Sequence, residues 1–128
     1  MVIHQEVDFN CSASVVFEAL TNPEQFATLT DSSAEIDAVI GGQFSCFGGM
    51  INGVTVEIIP NQQLIQAWRV GNWAEGIYSI VKFQLVDAGP SASRLIFDHT
   101  GFPEDRLEDL TQGWQERYWG PMKRYLNA

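Results

Sequence analysis

The chain has 128 residues, 45% of them hydrophobic and 18% charged, and a formal net charge of −9. That composition describes one folded domain and not a disordered segment, and the acidic balance argues against nucleic acid or an anionic membrane as partner. No apolar run reaches the length of about 18 residues that a transmembrane helix needs.

Met1 to Gln5 carry neither a basic n-region nor the start of a long apolar core, so no secretion signal is expected there. The two cysteines, Cys11 and Cys46, form no C-x-x-C pair. They are expected to be reduced thiols of a cytoplasmic protein, with no metal. Ile3, Gln5, Val7 and Phe9 alternate with His4, Glu6 and Asp8, which predicts a half-buried strand. Ser12 then suits an N-cap, followed by a short helix whose apolar face is Ala13, Val16, Phe17 and Leu20. Asn22-Pro23 ends that helix and starts a second, with Asn22 as cap, Pro23 at the first position, and Phe26 and Leu29 as anchors.

Short strands follow. Ala34 to Val39 reads as an edge strand, and Gly41-Gly42 turns into Gln43 to Phe47. Gly48-Gly49 turns again, and Asn52-Gly53 signals a bulge or turn. Val54, Val56 and Ile58 alternate with Thr55 and Glu57 up to Pro60-Asn61. Leu64 to Val70 is another strand, and Gly71 to Gly76 is a loop carrying Trp73. Val81, Phe83 and Leu85 alternate with Lys82 and Gln84. Leu95, Phe97 and His99 share one side of the last strand. Gly101 supplies a sharp turn.

From Pro103 to Leu126 the pattern changes to a helical period. Leu107, Leu110, Trp114, Tyr118, Pro121 and Tyr125 fall on one face; Asp105, Asp109, Gln112, Glu116 and Lys123 lie opposite. Pro103 suits the first helical position. Pro121 removes a backbone donor, which predicts a bend near Arg117 to Pro121. Strands so close in sequence leave no room for parallel crossovers. The fold class is therefore α+β: a curved antiparallel sheet of about six to seven strands around a long C-terminal helix, with two short helices after the first strand. Residues 1–128 make one domain.

This order resembles the helix-grip fold of the START and Bet v allergen superfamily, also called SRPBCC. Gly42-Gln43-Phe44-Ser45 with Gly49 and Gly53 resembles a segment of the C-terminal domain of the activator of the 90-kDa heat-shock-protein ATPase. Ile65-Gln66-Ala67-Trp68-Arg69 with Trp73 and Glu75-Gly76 is similar to its Trp-Arg…Trp-Pro-x-Gly segment, with Ala74 in place of the proline. Gly101-Phe102-Pro103 and Gly113-Trp114-Gln115-Glu116-Arg117-Tyr118 are similar to its closing motif. The resemblance implies the helix-grip fold and a stress-related, chaperone-regulating role. The family's eukaryotic members carry a separate N-terminal domain that grips the chaperone, and the present sequence has no counterpart of it.

No catalytic constellation is found. Ser45, Ser79 and Thr100 have no Gly-x-Ser-x-Gly elbow or base, and the Gly-Gly pairs precede no helix that could cradle phosphate. Asp98 and His99, adjacent on a strand, face opposite ways. His4 is expected at the surface. No cofactor is expected. The leading expectation is non-enzymatic binding of a small hydrophobic or amphipathic ligand between sheet and C-terminal helix. Trp68, Phe83, Phe97, Trp114 and Tyr118 would form the walls, with His99 and Arg69 at the polar end. His99 also reads as a satisfied, half-buried histidine, and Arg69 as the cover of Trp68 or the partner of a carboxylate such as Glu57. The alternative is a protein-interaction module regulating a chaperone ATPase, as monomer or homodimer.

Overall fold

The computed structural model describes every residue from Met1 to Ala128. Strand β1 (Val2–Phe9) is followed by helices α1 (Ala13–Thr21) and α2 (Pro23–Thr30). Strands β2 (Ala34–Ile36), β3 (Gln43–Cys46), β4 (Ile51–Ile59), β5 (Gln63–Val70), β6 (Ser79–Asp87) and β7 (Ser93–Thr100) come next. The chain closes with a 3-10 turn (Glu104–Arg106), α3 (Leu107–Gly113), a π segment (Trp114–Trp119) and α4 (Gly120–Leu126). The seven strands form one antiparallel sheet in the order β1-β7-β6-β5-β4-β3-β2. No helix is long and apolar enough to cross a membrane.

Hydrophobic alternation places the core. Leu95 and Phe97 of β7, Val81 and Phe83 of β6, and Leu64 and Trp68 of β5 are all buried. Leu110, Trp114, Tyr118, Trp119 and Met122 of the closing helical stretch are buried with them. A buried ring of Trp114's size takes roughly 150–250 Å² out of water, worth about 4–6 kcal/mol before entropy is counted. Val16, Phe17, Leu20, Phe26 and Leu29 of α1 and α2 are likewise buried.

Asn22 caps α2 as its sequence predicts, its Oδ1 accepting from the Gln25 N–H at 3.0 Å. At α1 the donor comes from further away. Ser12 occupies the cap position, but its hydroxyl meets Ser14. Asp87 of β6 instead accepts from the Ala13 N–H at 3.0 Å.

Three sequence expectations are corrected. The edge strand stops at Ile36, because Asp37 to Gly42 fold into a tight turn, and Val39 and Ile40 are exposed. In β4 the inward residues are Ile51, Gly53 and Thr55, while Val56 faces out and the register shifts between Thr55 and Glu57. Gly53 explains this register. It lies opposite Trp68, and a Cβ there would run into the Ala67 carbonyl oxygen and come within 2.8 Å of Phe44 Cζ. The close approach needs the bare backbone of glycine.

The third correction concerns the closing helix. Tyr125 is 40% exposed, whereas Trp119 and Met122 are fully buried. A π turn bonds each N–H to the carbonyl five residues back, one more than an α turn. Trp114 and Trp119 therefore stack above one another, and Tyr118 joins them on the same side. Every later residue is displaced around the axis, so Met122 takes the inward place that an unbroken α-helix would give to Pro121 and Tyr125. Pro121 lacks an N–H to bond the turn before it, and the widened turn ends immediately upstream.

Candidate functional site

His99 lies at the centre of a hydrogen-bond chain with a single consistent direction. The indole Nε1–H of Trp114 donates to His99 Nδ1 at 3.0 Å. An indole is only a donor, so Nδ1 is the acceptor and the ring proton sits on Nε2. Nε2–H then donates to Ser79 Oγ at 2.8 Å, and the Ser79 hydroxyl donates to the Trp68 carbonyl at 2.8 Å. His99 is fully buried, and burial holds its pKa down to about 3. It is a neutral clamp between the C-terminal helix and two strands.

Around that clamp the interior is filled with rings. Phe97 and Trp114 have centroids 4.3 Å apart, Trp114 and Tyr118 4.4 Å, and Trp68 and Trp114 5.1 Å. The open space lies to one side, where β4, β5 and the Trp73 loop face α3 and the π segment. It is a cleft of about 400 Å³, open to solvent, whose walls include Trp68, Trp73, Leu110, Trp114 and Tyr118. Met50 and Arg117 sit at its mouth, the Arg117 guanidinium reaching the Met50 sulfur at 3.5 Å. π segments recur at functional sites because they re-aim side chains that a regular helix would place elsewhere.

Of the seven side chains singled out from the sequence, Trp68, Trp114 and Tyr118 reach this cleft. Phe83, Phe97 and His99 stand behind them in the packed interior. Arg69 lies on the other side of its strand. It donates to the carbonyls of Trp73, Ala74 and Ile77, and its guanidinium lies 5.7 Å from the centre of the Tyr78 ring. Arg69 therefore pins the loop that carries Trp73, while Glu57 accepts from Gln63 instead. Met50 and Arg117 were not singled out. Met50 follows a glycine pair, a position that reads as a turn, and Arg117 falls at the edge of the apolar stripe, one heptad after Leu110, where a charged residue reads as the border of a buried face.

The Tyr118 phenol is pushed well above its ordinary range by burial, and it stays neutral. The Cys46 thiol is pushed up to about 12 by burial. Neither is a nucleophile at neutral pH. No group of three His, Cys, Asp or Glu side chains is placed to hold a metal ion. The fold and the cleft together define a helix-grip domain with a packed interior and an open aromatic recess beside its closing helix.

A family profile described as Activator of Hsp90 ATPase homolog 1-like protein matches residues 10–127, and the chain belongs to that family. It is 30% identical over 108 residues to an activator of 90 kDa heat shock protein ATPase homolog from Dictyostelium discoideum, covering 84% of this chain and 28% of that protein. It is 29% identical over 126 residues to activator of 90 kDa heat shock protein ATPase homolog 2 from Mus musculus, covering 98% and 38%. The chain thus spans well under half the length of these curated relatives. The solved structure of an HSP90 activator from Plasmodium falciparum superposes with a TM-score of 0.95 at 25% identity, covering 99% of this chain and 96% of that one. An Aha1 dimer from Colwellia psychrerythraea shares the fold, with a TM-score of 0.82 at 18% identity over 98% and 96% of the two chains.

Proposed function

We propose that this domain is a protein-interaction module that engages the 90-kDa heat-shock chaperone and tunes its ATPase, working in the cytoplasm. The observation that carries this reading is the superposition, over almost the full extent of both chains, on a solved protein described as an HSP90 activator. The packed interior agrees with it: rings fill the space that a deep ligand cavity would need. The exposed Met50 and the adjoining Arg117 offer the apolar and cationic contacts enriched at partner interfaces. The test is titration calorimetry against the purified chaperone, with ATP turnover followed in parallel. The expected result is saturable, micromolar binding and a change in turnover of less than several-fold. No binding at roughly 100 μM, a concentration that detects even a weak complex, together with unchanged turnover would refute it.

The cleft favours a second reading, that a small hydrophobic or amphipathic molecule binds beside the helix. Its volume of about 400 Å³ lies within the usual span of small-ligand sites, roughly 300–1,000 Å³. In this reading Trp68, Trp114 and Tyr118 touch the ligand. Phe83, Phe97 and His99 back them, and Arg69 holds the loop that brings Trp73 to the rim. Saturable quenching of tryptophan fluorescence by flat aromatic compounds, reduced in Trp114→Phe, is the expected sign. Absence of both quenching and a melting shift would count against it.

A further inference from the structure

Ten of the eleven glycines have a reason within the fold. Six have a positive φ, and at Gly42, Gly53, Gly71 and Gly120 an added Cβ would stand 3.4 Å or less from main-chain atoms. Gly113 has neither. Its φ of −61° and ψ of −38° suit any helical residue, and a Cβ there would meet nothing beyond its own turn of helix within 4 Å. Gly120, in the same helical stretch, gives the contrast: its Cβ would lie 3.1 Å from the Gln115 carbonyl oxygen in the π segment. Glycine weakens a helix because it loses more backbone freedom on folding than alanine does. At Gly113 nothing inside the protein requires that weakening.

The position is central to the helical wall of the cleft. Gly113 lines it, and so do Asp109 and Leu110 one turn before and Glu116 and Arg117 one turn after. Residues three and four apart surround a helical position on one face. The missing side chain therefore leaves bare helix backbone toward the open space. Trp68, Val70 and Trp73 line the cleft from the sheet side.

We propose that Gly113 determines what the cleft accepts: a flat aromatic molecule without net charge, lying with one ring face directly on the helix backbone at Gly113. This rests on the ligand-binding reading of the cleft and adds its contact point and the class of ligand. A flat ring makes a broad contact with a surface that carries no side chain, and its other face and edges meet the indoles of the sheet side. The charge follows from the lining. Its four charged residues, Arg106, Arg117, Asp109 and Glu116, cancel. An anion would lose its water there for no net attraction.

The test uses the intact protein labelled with nitrogen-15 and three probes: 2-naphthol, which is flat and neutral, 2-naphthalenesulfonate, which is flat and anionic, and 1-adamantanol, which is neutral and globular. Amide signals are followed by proton–nitrogen correlation, the Gly113 signal being assigned by its loss in Gly113→Ala. The naphthol is expected to bind most tightly and to shift the Gly113 signal. Gly113→Ala should weaken the naphthol about tenfold, the cost of one methyl group forced into a filled contact. The same variant should melt about 2–4 °C higher, because the substitution relieves the helix. Gly113→Leu should abolish binding, while Gln115→Ala, on an exposed position outside the cleft, should leave it unchanged. Equal naphthol affinity in the parent, Gly113→Ala and Gly113→Leu would overturn the role of Gly113 and leave the ligand reading standing. A lower melting temperature in Gly113→Ala would overturn it too, by showing that the fold needs the glycine. Equal or tighter binding of the adamantanol would overturn the flat body, and tighter binding of the sulfonate its neutrality. No binding by any probe would overturn the ligand reading as well, and a chaperone contact weakened in Gly113→Leu would then assign the bare wall to the protein partner.

Discussion

Trp114 donates its indole N–H to Nδ1 of His99, and that bond between the closing helix and the last strand leaves the imidazole no room to become charged. Protonation of Nδ1 would set two N–H groups against each other. The ring is buried as well, so both geometry and desolvation favour the neutral form.

The pH dependence of stability follows with a definite sign. In the unfolded chain His99 takes up a proton near its ordinary pKa of 6.5, while in the folded protein it resists until about 3. The unfolded state therefore binds more protons throughout that window. The His99 contribution is whole above about pH 6.5 and is lost as pH falls, by at most roughly 1.4 kcal/mol per pH unit. Urea melts between pH 7 and pH 4.5 should show His99→Gln losing less stability than the parent over the same range. Parallel curves for the two proteins would show that His99 does not set the acid limb.

Leu110→Ala should cost about 2–3 kcal/mol in denaturant melts, in the lower half of the range for buried leucines. The side chain is buried, yet it borders the open cleft and part of its surface already meets water. A loss under about 0.5 kcal/mol would match a surface position instead.

Gly53→Ala should be more disruptive than its single added methyl implies. The new Cβ meets main chain of the neighbouring strand as well as Phe44 Cζ, and a backbone carbonyl cannot swing aside. Thermal melting should show a loss of at least about 2 kcal/mol, as overpacking by a methyl group in a rigid site produces. An unchanged midpoint would mean that β4 and β5 separate without cost.

Thiol titration separates the two cysteines. Cys46 is 4% exposed with its ionisation pushed up to about 12, whereas Cys11 is half-buried and only raised. An aromatic disulfide reagent at pH 8 should react with Cys11 first and with Cys46 only after unfolding. Fast reaction of both thiols in native buffer would show that the β3 end opens readily.

Much of this architecture was legible from residue spacing. The alternation of Ile3, Val7 and Phe9, the Asn22-Pro23 junction and the shared side of Leu95, Phe97 and His99 each express a local rule that packing did not override. The misread places are those where a distant partner decides. Thr55 faces inward because Gly53 must lie beneath Trp68 and Phe44, and no pattern within β4 carries that information. The π segment is hidden for a similar reason. Trp114 and Tyr118 fit an ordinary helical stripe, and only the burial of Trp119 and Met122 reveals the extra residue in the turn. Within the cleft, the tryptophans and Tyr118 stood out by residue type. Arg69 was misplaced because its three carbonyl partners belong to a loop whose path spacing alone does not give.

The position of the first strand also governs when the chain can fold. β1 pairs with β7 alone, Val2 opposite Thr100, and Gln5 is held by Trp119 and the Thr111 carbonyl. Synthesis delivers Gln5 long before any of these partners exists. The beginning of the chain must therefore wait, with Ile3, Val7 and Phe9 uncovered, until the last strand and closing helix have left the ribosome. Closing so long a loop is slow and exposes sticky surface meanwhile. The first strand thus spends nearly the whole of synthesis as an unpaired apolar edge, and it is the last strand to be fixed in the sheet.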